Sequence, residues 1–227
     1  MVGLELIFAL QRWVIMVAVA SASVVALGVV LVGLEEQGRF RPLYVILPTL
    51  AAVGFSGFAF LLPTTPILHA YVAVAGLLFF WLLKHGVRQA YPLWNWTLSL
   101  PVFFLNIAFI LGLRFHLDLP VIALLLLAAL LTWLMSLQAL ARIAPALVRV
   151  MLPSLAITLA LTEVTWVLQF LPIYYLVQAG VVTALYYVMF SLISISYMRK
   201  VVRRDIVEYV AIGMGACLLI LISAQWT

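Results

Sequence analysis

Apolar residues run through this chain in long stretches, and polar residues gather in short clusters between them. A bilayer crossing takes about 20 consecutive apolar residues in a helix. On that measure the runs predict eight helices, at about 13–34, 44–62, 66–83, 95–113, 119–140, 150–171, 173–197 and 206–225. The breaks carry turn chemistry. Glu35 to Pro42 is a polar turn, Pro63-Thr64-Thr65-Pro66 a proline-bounded one, and Lys84 to Pro92 combines charge, Gly86 and a proline stop. The weakest break, Phe170 to Tyr174, is uncharged. There Pro172 disfavours helix at Leu171, and a run from 150 to 197 is too long for one crossing.

Composition then narrows the class. The chain has 227 residues, 68% hydrophobic and 8% charged, against roughly 25% charged in soluble proteins. Its mean hydropathy is +1.29. Eight spans consume about 160 residues and leave about 67 for all loops and tails. No soluble domain fits in that remainder, which excludes a cytoplasmic enzyme, a DNA-binding module and a receptor with an extramembrane sensor. The expectation is an all-α polytopic transmembrane helix bundle forming a single domain over residues 1–227. The N-terminal apolar run continues from Trp13 to Leu34, longer than the 7 to 15 residues or so of a signal peptide. It is expected to be a retained helix.

Charge supplies the orientation. Twelve Lys and Arg stand against seven Asp and Glu; in a polytopic protein this excess belongs to cytoplasmic loops rather than to nucleic-acid binding. Eight alternating spans put Arg39, Arg41, Lys84, Arg88, Arg142, Arg149, Arg199, Lys200, Arg203 and Arg204 on one side, and Arg12 and Arg114 on the other. The basic side should be cytoplasmic, with both termini extracytoplasmic. Merging two neighbouring spans would scatter the later basic residues, so the segregation also supports the break at Pro172. Trp81, Tyr91, Trp94, Trp96, Tyr197 and Tyr209 fall near the inner boundary, and Trp13, Tyr71, Tyr174, Tyr175 and Trp226 near the outer one, as interfacial aromatics do. The cluster Arg199, Lys200, Arg203 and Arg204 is placed to meet lipid head groups.

Glu163 is the one ionisable residue well inside a predicted span. An ionised, unpaired carboxylate near the bilayer centre costs about 2.5 to 3.5 kcal/mol. On the same helix Ser154, Thr158, Thr162, Thr165 and Gln169 recur at helical spacing on one face, while Glu163, Trp166 and Phe170 follow an adjacent stripe. Two readings of this polar stripe are open. It lines a solute or proton path with Glu163 as the coupling carboxylate, or it is interhelical glue with Glu163 neutral and hydrogen-bonded. Asn106, Gln138, Gln178 and Ser191 are candidate partners.

Other constellations are weaker. Gly54-Phe55-Ser56-Gly57 resembles the GxSG nucleophile motif of rhomboid intramembrane proteases, but only one span precedes Ser56, and His69, His85 and His116 sit at helix ends without the expected glycine spacing. Small residues there serve close helix packing. Glu35-Glu36 with Arg39 and Arg41 resembles the EExxxR box of CAAX-type membrane proteases, yet Phe40 stands in the arginine slot. His69 and His116 are both expected near the outer face, where interfacial histidines are commoner than a shared metal or haem. The lone Cys217 builds neither a disulfide nor a thiolate centre. Phe60 to Pro63 and Phe170 to Pro172 end two spans alike, a faint trace of duplication.

From Leu47-Pro48 through Phe60-Leu61-Leu62-Pro63, Glu163 with Leu168 to Pro172, Tyr186-Tyr187 and Arg203 to Tyr209, the chain resembles a family of uncharacterised multi-span bacterial membrane proteins. The resemblance implies no activity, ligand or cofactor and lends no functional residues. The expected function is therefore that of a non-catalytic integral membrane protein with an assembly or scaffolding role in the bacterial cytoplasmic membrane. It needs no metal or cofactor, and its partners are the lipid bilayer, another membrane protein or a second copy. The alternatives are a small-solute or ion transporter using Glu163 and, more distantly, an intramembrane hydrolase using Ser56.

Overall fold

A computed structural model describes residues 24, 28, 43–62, 66–86, 92–117, 119–144, 147–198 and 201–224. Among these the secondary structure is helical, in seven helices: α1 Leu43–Leu61, α2 Pro66–Gly86, α3 Pro92–Leu117, α4 Val121–Ala141, α5 Leu147–Leu168, α6 Tyr175–Met198 and α7 Arg203–Ser223. Each begins and ends within four residues of its sequence-derived span. The first predicted span lies outside the described residues apart from Val24 and Gly28, both helical. Helices α3 to α7 are long and apolar enough to cross a membrane, while α1 and α2 carry shorter apolar stretches, Ile46–Leu61 and Ile67–Leu82.

The chain divides into two compact units, Met1–Leu98 and Ser99–Thr227, with the boundary inside α3. In the first unit α1 packs on α2. The Tyr71 hydroxyl donates to the Phe55 carbonyl at 3.1 Å, and Leu47, Ala51, Phe55, Leu68 and Leu82 are buried.

The second unit joins α4 to α5, α5 to α6 and α6 to α7. Antiparallel pairing of α5 and α6 is fixed at both ends, because the Gln169 amide donates to Gln178 at 3.0 Å and the Tyr197 hydroxyl donates to the Arg149 carbonyl at 2.7 Å. The second bond has a local cause. Pro153 lies inside α5 and has no N–H to give to the carbonyl four residues back. That carbonyl belongs to Arg149, and Tyr197 supplies the missing donor. Also on α6, Tyr186 stacks with Phe103 of α3, ring centroids 4.1 Å apart, and both rings are fully buried.

Helix α7 docks on α6 through small residues. A Cβ on Gly213 would collide with Val188, and one on Gly180 would meet the Ile220 side chain at 3.1 Å. Glycine, with no side chain, lets two helices approach this closely. Elsewhere α7 turns outward: of its residues only Asp205, Gly213 and Cys217 are buried. Ile206, Val210, Met214, Leu218 and Ile222 are exposed. So are Ile122, Leu126 and Leu130 of α4. Soluble monomers rarely expose apolar surface on this scale.

Candidate functional site

The predicted polar stripe of α5 faces inward. Ser154 and Thr165 are 0% and 1% exposed, and Thr162 and Gln169 are half-buried. Every hydroxyl in the row is satisfied by its own helix: Ser154 donates to Val150 at 2.7 Å, Thr158 to Ser154 at 2.8 Å, Thr162 to Thr158 at 2.7 Å and Thr165 to Leu161 at 2.7 Å. Donation to the i−4 carbonyl is the local alternative available to a hydroxyl without water or a cross-helix acceptor. The same pattern holds at Ser56, which donates to Ala52 at 2.7 Å, and at Thr132, which donates to Ala128 at 2.7 Å. The Ser56 hydroxyl bonds backbone carbonyls, and among the described residues no histidine bonds it.

Glu163 lies apart from that row. Its side chain is exposed, and among the described residues it forms neither an ion pair nor a hydrogen bond. Counting by four along α5 and just beyond gives Met151, Leu155, Leu159, Glu163, Val167 and Leu171, all exposed. Trp166 and Phe170 are exposed beside it, their rings edge to face at 6.0 Å. The carboxyl therefore interrupts an otherwise apolar outward face. Leu168 ends the helix five residues further on, which at about 1.5 Å per residue puts Glu163 roughly 7 Å inside that end. Asn106, Gln138, Gln178 and Ser191, the sequence candidates for its partner, are all buried.

A second constellation closes one end of the same unit. Arg114, near the end of α3, donates from Nη1 to the Gln169 Oε1 at 2.6 Å. Gln169 Nε2 donates to the Gln178 Oε1 at 3.0 Å, and Gln178 Nε2 donates to the Ile173 carbonyl at 3.1 Å. The relay runs in one direction, from a guanidinium through two amides to a backbone oxygen. It borders a cavity of about 830 Å³ whose other walls include Phe115, Pro120, Val121, Pro172 and Tyr174. Four helix ends meet here, those of α3 and α5 and the starts of α4 and α6. Sequence reasoning placed Arg114 and Gln169 separately and did not join them, since they are 55 residues apart.

The opposite end of the unit is basic. Arg142 follows α4, Arg149 begins α5, and Arg203 and Arg204 open α7. Gln138, with its amide oxygen turned toward Arg142, accepts from the guanidinium at 2.7 and 2.8 Å. Arg203 and Arg204 are exposed, whereas Arg199 and Lys200, the other expected head-group contacts, lie outside the described residues. The Asp205 carboxylate accepts from the Val202 N–H at 3.1 Å, capping α7 where the helix dipole favours an anion. Among the described residues no group of three or more His, Cys, Asp and Glu side chains is arranged to hold a metal.

A family described as Protein of unknown function (DUF5656) matches residues 2–223. The match takes in every segment on which the sequence resemblance rests. Neither the curated proteins nor the solved structures contain a match to the chain.

Proposed function

We propose, from the premise that the chain belongs to this family of unknown function, that it is a non-catalytic integral membrane protein that works by assembly. Its outward α5 face docks a transmembrane helix of a partner membrane protein. One observation carries the reading: Glu163 is exposed on an apolar face of a helix fit to cross a membrane and has no partner among the described residues. In hydrocarbon such a group is costly, and the cost is removed when a neighbouring helix presents a donor to it. The partner helix would therefore be apolar with a basic, amide or hydroxyl side chain at matching depth. Ala156 and Ala160 lie on the two turns before Glu163, a small-xxx-small spacing that lets a second helix come close.

The supporting frame is eight spans in a bacterial cytoplasmic membrane with both termini extracytoplasmic. It is favoured by the separation of Arg114 from Arg142, Arg149, Arg203 and Arg204 at opposite ends of the second unit, which agrees with the basic-side rule. A path along the α5 hydroxyls has less in its favour, because each hydroxyl is turned back on its own helix and Glu163 points elsewhere.

The test is purification of the full chain in mild detergent with mass measurement of the intact particle. Wild-type protein should carry a stoichiometric membrane-protein partner. Glu163→Leu should release it, while Glu163→Gln, which keeps a hydrogen-bonding head, should retain most of it. A homo-oligomer sensitive to the same substitution would replace the partner with a second copy. A monomer unaffected by Glu163→Leu would overturn the reading.

A further inference from the structure

The cavity at the Arg114 end takes Gln169 from the end of the polar row and Leu171 from just beyond α5, lies away from Glu163 and the hydroxyls, and has walls of a definite chemical bias. Arg114 spends one of five guanidinium N–H groups on Gln169, and among the described residues no carboxylate approaches it. Gln169 and Gln178 each use one amide N–H and keep another. Each amide oxygen already accepts one bond. The unspent capacity of this wall is thus mainly donor, with one full positive charge. A guanidinium with free N–H pairs fits a carboxylate or phosphate in a fork.

The remaining walls are apolar or aromatic, and Phe115 and Tyr174 are both more than half exposed at the rim. A volume of about 830 Å³ falls in the range of small-molecule sites, about 300 to 1,000 Å³. Four helix ends and the connecting residues 119–120 and 169–174 surround it. For membrane-crossing helices this is the level of the lipid head groups, where an anion with an apolar tail is available.

We propose that this cavity binds an anionic amphiphile. Its phosphate or carboxylate head lies against Arg114 and the free N–H groups of Gln169 and Gln178, and its chain leaves over Phe115 and Tyr174. The relay holds the site in shape: Gln169 fixes the guanidinium, Gln178 fixes Gln169, and the Ile173 carbonyl fixes Gln178. The inference rests on the membrane-spanning reading and is independent of a partner on α5.

The experiment uses the full chain in phosphatidylcholine nanodiscs doped with a phosphatidylglycerol that carries a photoactivatable acyl chain. Retention of the protein in membranes after alkaline washing checks the membrane reading separately. Labelling should map to peptides covering residues 114–121 and 169–178. Excess dioleoyl phosphatidylglycerol or oleate should suppress it, the stronger competitor identifying the head, whereas phosphatidylcholine and inorganic phosphate should not. Arg114→Gln should weaken labelling about tenfold or more, as loss of a charged hydrogen-bond donor does. Arg114→Lys should fall between, and Glu208→Gln, on exposed α7 surface, should match wild type. Labelling at other peptides, equal competition by phosphatidylcholine or by inorganic phosphate, or a folded Arg114→Gln that labels like wild type would overturn the proposal. The wild-type competition decides the matter alone if Arg114→Gln does not fold.

Discussion

The hydroxyls of α5 show how residue type and residue role separate. Ser154, Thr158, Thr162 and Thr165 occupy one face by spacing alone, and that much is legible in the sequence. Whether such a face holds water, a neighbour's side chain or nothing polar depends on what packs against it. Here each hydroxyl returns to the carbonyl one turn back, so the stripe looks polar in the sequence and behaves as satisfied surface in the bundle. Thr165→Val should consequently cost little. The Leu161 carbonyl keeps its bond from the Thr165 backbone N–H, the volume is nearly conserved, and the expected loss is about 1 kcal/mol or less. Unfolding of the purified protein in mixed detergent micelles measures it; a loss of several kcal/mol would mean that the hydroxyl has a partner outside its own helix. Glu163 is the converse case. The sequence marks it as costly, but a single helix has two sides. Only the packing of α5 against α4 and α6 determined that the carboxyl points away from both.

Prolines shape the elements without ending them. Pro48, Pro101 and Pro153 lie inside α1, α3 and α5, where each removes one intrahelical donor, and helices in membranes tolerate this when neighbours supply the lost bond. At Pro153 the neighbour is identified. The Tyr197 hydroxyl meets the Arg149 carbonyl at 2.7 Å from the far end of α6, so a break in one helix becomes a tie between two. Tyr197→Phe should destabilise the protein by about 1 kcal/mol through loss of that bond. In a Pro153→Ala background, where the backbone N–H restored by the substitution can serve Arg149, the same change at Tyr197 should cost less. A double-mutant cycle on detergent-induced unfolding measures the coupling; strictly additive effects would separate Tyr197 from the proline. The helix positions themselves were readable, because a run of apolar residues bounded by proline, glycine or charge leaves few alternatives. The partner of each helix was not, since a run apolar on all sides carries no face to orient it.

For the whole molecule, the proposed topology makes a direct claim. Reporter fusions at residues 1 and 227 should both report extracytoplasmic ends, and a cytoplasmic C-terminus would remove one span or add one. The charge pattern that supports this topology is sequence information in full: Lys and Arg in short loops act on insertion before any tertiary contact exists. Hydropathy and charge along the chain were enough for the helical class, the positions of the seven described helices, the break at Pro172 and the gathering of basic residues at one end of the second unit. They were enough because both act locally, on each segment in turn. The tertiary structure alone decided that Arg114, Gln169 and Gln178 share one relay and border one cavity, that Tyr197 completes Arg149, that Gly213 admits Val188, and that Glu163 faces outward. These depend on which faces of nearly uniform apolar helices meet, and that choice is made by packing between residues far apart in the chain.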